Sequence, residues 1–339
     1  MKSLNIVFTE KQKAELVEQK LPDMTSTSAL VKTVVSLIST GTELACFRGE
    51  FDKDTNWADW VKYPFRPGYS TVGEIVEVGK DISDFKIGDM LILSQPHSQY
   101  HIIDLVKGAD GHSIVRLPDG ISPEQATCLT MADIAAAGVR RAKIEYGERV
   151  VVVGAGPVGQ MTAQLSLVSG ALKVIVIDTV QKRLDSAKAY GATDILKMTS
   201  SQAIEELKEL LDGDKPEVVF DVTGHHSVLA DCCKMVKNYG RVVLLGDSTQ
   251  PSKQGIGPAL FKSVSILGIH GMKYYDIESL PWSAERHKKI LFELLLQKRL
   301  KTDHLISHRF SPDEAGKLYP KLLTNREFSM NVVLDWNKL

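Results

Sequence analysis

A chain of 339 residues is long enough for about two domains. With 43% hydrophobic and 24% charged residues it can bury substantial cores and is not disordered. Lys plus Arg number 41 and Asp plus Glu 42, a net charge of −1, which argues against a nucleic acid or other polyanion as the main partner.

The first ten residues read as a strand and lack the apolar core of a secretion signal. No apolar run approaches the roughly 18 residues of a membrane span. Cys46, Cys128, Cys232 and Cys233 form no C-x-x-C pair. Together these features predict a reduced, cytoplasmic protein without a disulfide framework or a membrane partner.

Residues 1 to about 118 are rich in short strands, Gly and Pro, with strands predicted at 4–8, 14–19, 29–36, 72–78 and 90–93. They read as a compact, partly open β-barrel. Residues 46–65 interrupt it with Phe47, Phe51, Trp57, Trp60, Tyr63 and Phe65 among polar residues. Two readings of this stretch stand side by side: a surface excursion with its own small core, or a wall over a substrate.

Residues 119 to about 275 alternate the two element types. Helices are predicted at 122–141, 160–169, 181–190, 201–211 and 226–236, and strands at 150–153, 174–177, 194–197, 217–222, 241–245 and 263–269. Six strands with helical crossovers predict an α/β, doubly wound parallel sheet. The first strand, four consecutive valines, reads as buried on both faces. It runs into Gly154-Ala155-Gly156-Pro157-Val158-Gly159, the second strand closes on Asp178, and the whole is a dinucleotide fingerprint. Gly154 permits the tight turn, Gly156 lets a pyrophosphate approach the backbone, and Gly159 lets the helix pack on the sheet. The helix N-terminus then offers N–H groups and partial positive charge to phosphate.

Asp178 lies 19 residues beyond Gly159, where a carboxylate accepts hydrogen bonds from the adenosine ribose. It would repel a 2′-phosphate, so NAD is the expected cofactor, although Lys182 and Arg183 leave room for NADP. Thr223 and Gly246 follow successive strands and are expected to line the cofactor cleft.

From about residue 276 the character changes again, with helices predicted at 284–298 and 312–323 and strands at 305–310 and 330–334. This tail is too small to stand alone. It is expected to complete the N-terminal domain, so that residues 119–275 form an insertion between 1–118 and 276–339.

Pro67-Gly68-Tyr69-Ser70-Thr71-Val72-Gly73-Glu74, Phe85-Lys86-Ile87-Gly88-Asp89 and Leu305-Ile306-Ser307-His308-Arg309-Phe310, with the fingerprint, resemble the medium-chain dehydrogenase/reductase superfamily over nearly the whole chain. The resemblance implies a GroES-like catalytic domain, a nicotinamide cofactor in the interdomain cleft and a homodimer or homotetramer. Zinc-dependent members place a Cys, a His and a Cys or Glu at the metal. Here the matching positions carry Thr40, Tyr69 and, by a looser correspondence, Thr130. Hydroxyls are poor zinc ligands at neutral pH, so no metal is expected. Ser39 to Glu43 paired with Pro67 to Gly73 is similar to bacteriochlorophyllide dehydrogenase-type members. Glu43, Cys46, His97 and Cys128 are the set from which an unorthodox metal site could be built.

Hydride transfer to a carbonyl leaves negative charge on oxygen, which must be stabilised or protonated. Without zinc the candidates are Tyr69 and Thr42, which the resemblance places at the vacated site, and His97. The expected activity is NAD-linked oxidoreduction of a secondary alcohol or ketone, with a sugar, cyclitol or other ring as the small-molecule substrate. Reduction of an activated carbon–carbon double bond, and nicotinamide binding without catalysis, are the competing readings.

Overall fold

The structure is a computed structural model and describes residues 1–106, 114–270, 284–325, 327 and 329–339. In the first part the strands Met90–Leu93 and Tyr100–Asp104 alternate buried and partly buried positions, as half-buried antiparallel strands do, while Ser28–Ile38 is buried along most of its length. β1 (Lys2–Glu10) and β2 (Lys13–Lys20) form an antiparallel hairpin. β3 (Ser28–Ile38) follows. Helices α1 (Thr42–Arg48) and α2 (Asn56–Trp60) lead to β4 (Thr71–Val78), β5 (Met90–Leu93), β6 (Tyr100–Asp104) and β7 (Val115–Arg116). α3 (Pro123–Thr127) and α4 (Leu129–Ala142) replace the single helix expected over 122–141. Ser122 opens α3 with a capping box closed by Gln125.

The next part alternates as expected. β8 (Arg149–Val153), α5 (Pro157–Val168), β9 (Lys173–Asp178), α6 (Gln181–Tyr190), β10 (Asp194–Lys197), α7 (Ser200–Leu210), β11 (Val218–Asp221), α8 (Val228–Met235), β12 (Arg241–Leu244) and β13 (Ser265–Gly268) run in order. The remaining elements are α9 (Ala284–Leu296), β14 (Ile306–Phe310), α10 (Ala315–Thr324) and β15 (Asn331–Asp335).

Two compact units result, residues 1–130 with 302–339, and residues 131–301. The expected junction at 118/119 thus lies at 130/131, and the one at 275/276 falls outside the described residues. Helix α9 groups with the parallel-sheet unit rather than with the tail, whose part in the first unit begins at residue 302.

In the first unit a sheet runs in the order β14-β15-β3-β4-β5-β7, with β6 paired to the far half of β3. β3 is long enough to serve three neighbours because it bends: its register with β4 shifts at Leu30/Val31 and at Thr33/Val35. Such bends curl a sheet into the partly open, GroES-like barrel. Its larger core gathers Ile6, Phe8, Phe47, Trp57, Phe65, Tyr319 and Trp336. Most of the aromatic stretch therefore packs into the unit's core. Trp60 alone among its tryptophans stays half exposed, edge-on to Phe65 at 5.1 Å between ring centroids.

In the second unit six parallel strands run in the order β10-β9-β8-β11-β12-β13. Val150, Val151 and Val152 are completely buried, as the valine run requires. The order reverses beside β8, where chains of this topology bind their ligands.

Candidate active site

The glycine turn has the geometry its spacing calls for. Gly154 sits at φ +105°, and a side chain there would meet Val222 and Thr223. A Cβ on Gly159 would lie 1.9 Å from the carbonyl oxygen of Gly154, so only glycine fits. Gly156 faces open space, leaving its backbone approachable, and α5 begins immediately after it with Pro157 at its first position and Val158 partly exposed. Asp178 ends β9 and turns its carboxylate back on this turn. Its Oδ2 accepts from the Ala155 N–H at 2.7 Å and its Oδ1 from the Val180 N–H at 2.9 Å. Each oxygen keeps a lone pair for a further donor.

Thr223 and Gly246 stand at the carboxyl ends of adjacent strands and are brought together. Thr223 donates from N–H and Oγ1 to Asp221 Oδ1 at 2.9 and 2.7 Å. Gly246 approaches Gly224 so closely that a Cβ would lie 2.2 Å from its nitrogen. Gly154, Thr223 and Gly246 thus form one surface at the switch point. Lys182 is exposed and Arg183 half-buried in the first turn of α6.

In the first unit the structure sorts the three expected catalytic groups into a rim and a floor. Tyr69 and Thr42 are partly buried and touch: the phenol lies 3.2 Å from Thr42 Oγ1 and also hydrogen-bonds Ser39 Oγ. A phenol has one proton, so at least one of these contacts is donated to it. Burial pushes the Tyr69 hydroxyl up to about 12, against the pull of the Ser39 and Thr42 hydrogen bonds. One residue on, Ser70 donates to the Thr127 carbonyl at 2.7 Å and accepts from Thr130 Oγ1 at 3.0 Å.

His97 belongs to the floor. It is completely buried, with Nδ1 2.8 Å from Ser36 Oγ and Nε2 3.0 Å from Glu43 Oε2. Both ring nitrogens are therefore engaged, and the ring packs so tightly on Gly68 (φ +99°) that a Cβ there would meet it at 2.8 Å. Glu43, 1% exposed, also accepts from the Tyr319 hydroxyl at 2.6 Å and from the Ser39 N–H at 2.7 Å. The Glu43 N–H returns a bond to the Ser39 carbonyl at 2.8 Å. Glu43 thus fixes the residue that touches Tyr69. Trp336 Nε1 donates to Ser36 at 2.9 Å and closes the floor.

The alternative metal set does not assemble. Glu43 and His97 bond each other, Cys46 lies in the aromatic core, and Cys128 accepts from Asn331 at 3.4 Å. Burial raises both thiols, Cys128 to about 12. Among the described residues no group of three or more His, Cys, Asp or Glu is disposed to hold a metal ion. Elsewhere Asp133 pairs with His287 at 3.3 Å, and Arg66 is held by Asn5 and Ser98 at 2.8 Å each.

Ser39 and Tyr319 were not among the sequence candidates. Ser39 had a signal, a hydroxyl beside Thr40, the residue that the resemblance matches to a metal ligand. Tyr319 had none, since it reaches Glu43 across 276 residues of sequence.

Comparison with known proteins agrees with this architecture. Residues 26–112 match the alcohol dehydrogenase GroES-like domain and residues 157–285 the zinc-binding dehydrogenase domain, together more than half of the chain. The chain is 27% identical to a D-guloside 3-dehydrogenase of Escherichia coli over 89% of its own length and 90% of that protein's. It is 24% identical to an L-threonine 3-dehydrogenase of Pectobacterium carotovorum, over 95% and 96%. Among solved structures, an E. coli oxidoreductase/dehydrogenase of unknown specificity superposes with a TM-score of 0.81 at 18% identity, covering 99% of both chains. A Sinorhizobium meliloti dehydrogenase bound to NADP gives 0.76 at 20%, again over 99% of both. No described helix is long and apolar enough to cross a membrane. The chain belongs to the medium-chain dehydrogenase/reductase superfamily, the alcohol dehydrogenase-like oxidoreductases that use NAD(P).

Proposed function

We propose that this protein is a zinc-independent, NAD(H)-linked dehydrogenase that interconverts a secondary alcohol and its ketone, with a polyol, sugar or other polar ring compound as substrate. The observation that carries the reading is the hydroxyl cluster of Tyr69, Ser39 and Thr42, in the segments that the sequence resemblance matches to the metal site of zinc-dependent members.

The donor set argues against zinc. Thr40, Tyr69 and Thr130 offer only hydroxyls, and the nearest imidazole and carboxylate, His97 and Glu43, spend their nitrogens and oxygens on each other, Ser36, Ser39 and Tyr319. The nucleotide is a different case. The glycine turn, residues 154–159, and the start of α5 would hold its phosphates, with Pro157 fixing the helix start and Gly156 and Val158 offering N–H groups. Thr223 and Gly246 would line the cleft, Asp178 would accept from its ribose, and Arg183 would flank that end. When bound, NAD(H) supplies or accepts the hydride.

The chain's own task is the proton. Tyr69, neutral at working pH because burial raises it, donates to the oxygen that becomes the alcohol. Ser39 and Thr42 then both donate to the phenolic oxygen as negative charge develops there. In the oxidative direction the phenolate, formed by loss of the Tyr69 proton to solvent and held by Ser39 and Thr42, takes the alcohol proton and returns to the phenol. His97 acts from behind, through Glu43, and does not touch the substrate. The names of the relatives, D-guloside and sorbitol dehydrogenases among them, support a polyhydroxylated substrate.

The test is a panel of polyols, ketones and enones with NAD(H) and NADP(H), read at the NADH absorbance on protein whose metal content has been measured. Turnover of a polyol or ketone by metal-free protein, with NAD(H) preferred, is expected. Stoichiometric zinc, with activity lost on chelation, overturns the zinc-free mechanism. Activity with enones alone overturns the alcohol assignment, and nucleotide binding without any turnover overturns both.

A further inference from the structure

Directly after the last fingerprint glycine, Gln160 is buried to 1% exposure on the first turn of α5. Its side-chain amide nitrogen donates to the Ala155 carbonyl at 3.0 Å and to the Arg183 carbonyl at 2.8 Å. These two carbonyls belong to different segments, the glycine turn and the first turn of α6, which follows Asp178. The bonds complete a closed circuit. Ala155 donates its N–H to Asp178 Oδ2 at 2.7 Å, Val180 donates to Asp178 Oδ1 at 2.9 Å, and Arg183 donates to the Val180 carbonyl at 3.1 Å. The orientation of the amide is fixed by its neighbours, because the reverse would set an oxygen against two carbonyl oxygens. Its own Oε1 has no hydrogen-bond partner among the described residues. A buried acceptor without a partner is destabilising, and an apolar side chain of equal length would avoid that cost. The amide is therefore placed for what its nitrogen holds.

We propose that Gln160 is a specificity-determining positioning residue of the adenosine end: its amide ties the first turn of α6, and through Val180 the Asp178 carboxylate, to the glycine turn, so the carboxylate cannot withdraw from a ribose 2′-phosphate. The proposal rests on the reading that Asp178 accepts from the ribose hydroxyls. A carboxylate free to rotate could swing aside and let Lys182 and Arg183 meet a phosphate. A carboxylate held through both oxygens stays where a 2′-phosphate, with its charge of about −1.5 to −2, would be repelled. Discrimination between NAD and NADP then depends on the rigidity of the loop as well as on its acid.

Titration of the full-length protein with NADH and with NADPH, followed by nicotinamide fluorescence, tests this without any substrate. Gln160→Leu is expected to weaken NADH about tenfold while NADPH changes by less than about twofold, so the ratio of the two dissociation constants collapses about tenfold. Gln160→Asn, too short to reach both carbonyls, gives the same direction and carries the test if the leucine variant does not fold. Two results overturn the proposal: both nucleotides weakened in proportion, as a structural role would give, or neither changed. In the Asp178→Ala background Gln160→Leu should leave the ratio where Asp178→Ala put it, and a full further tenfold change would contradict the coupling. If Asp178→Ala itself leaves the ratio at its wild-type value, the underlying reading of Asp178 fails, whatever Gln160 does.

Discussion

Asp178 and Glu43 are both carboxylates that hold backbone N–H groups, and they serve opposite ends. Asp178 takes one N–H on each oxygen, stays half exposed and keeps lone pairs for a ligand. Glu43 is sealed from solvent and spends itself inward on Ser39, His97 and Tyr319. On the proposed function the first is a binding group, and the second is a clamp that holds Ser39 against Tyr69. An acid at a strand end and an acid under a barrel thus differ in where their free lone pairs point, not in their residue type.

Removing the two acids separates those roles. Glu43→Ala leaves a buried imidazole, a buried phenol and an N–H without their acceptor, and should cost about 3–5 kcal/mol, seen as a lowered thermal midpoint. Asp178→Ala should cost about 1–2 kcal/mol from its two lost hydrogen bonds and act mainly on NADH affinity. Equal destabilisation by both would erase the distinction.

Two glycines give a smaller contrast. Gly159→Ala forces a Cβ against the Gly154 carbonyl, with an expected penalty of about 1–3 kcal/mol and weaker NADH binding by fluorescence titration. Gly41→Ala, in open space at the start of α1, should be neutral to within about 0.5 kcal/mol and leave binding unchanged. A neutral Gly159→Ala would show that the turn is looser than its geometry.

A further contrast is a pH dependence in the first unit. Burial holds His101 down at about 3, from an ordinary 6.5. Folded His101 stays neutral between those values while the unfolded chain takes up a proton, so stability falls as pH drops from about 6.5 toward 3. The slope from this one group approaches about 1.4 kcal/mol per pH unit. His101→Gln should flatten the acid limb of the unfolding midpoint, and an unchanged limb would remove His101 as its source.

The two regions also differ in how much of them the sequence disclosed. The hydrogen bond that ties the glycine turn to Asp178 lies within one strand–helix–strand unit, so spacing alone located Gly154, Gly156, Gly159 and Asp178. Gln160 could be read as a helix residue, but its amide geometry depends on how α5 sits against the turn after β9. The barrel site is assembled from Ser39, Glu43, Tyr69, His97 and Tyr319, whose contacts span up to 276 residues. Family resemblance pointed to Tyr69 and Thr42, and no local pattern could show that His97 faces Glu43 rather than a substrate. Short elements escaped for a related reason. α1 and α2 are seven and five residues long, and β7 only two, too short for hydrophobic periodicity to register.

The central claim is that a phenol held by two hydroxyls performs the proton transfer. The most direct measurement is the steady-state turnover of Tyr69→Phe with the best alcohol or ketone of the panel, beside its NADH dissociation constant. A loss of about 100- to 10,000-fold in kcat, with NADH binding unchanged, is the result predicted. Turnover within about twofold of the unaltered protein would contradict it, because phenylalanine fills the same space and carries no proton.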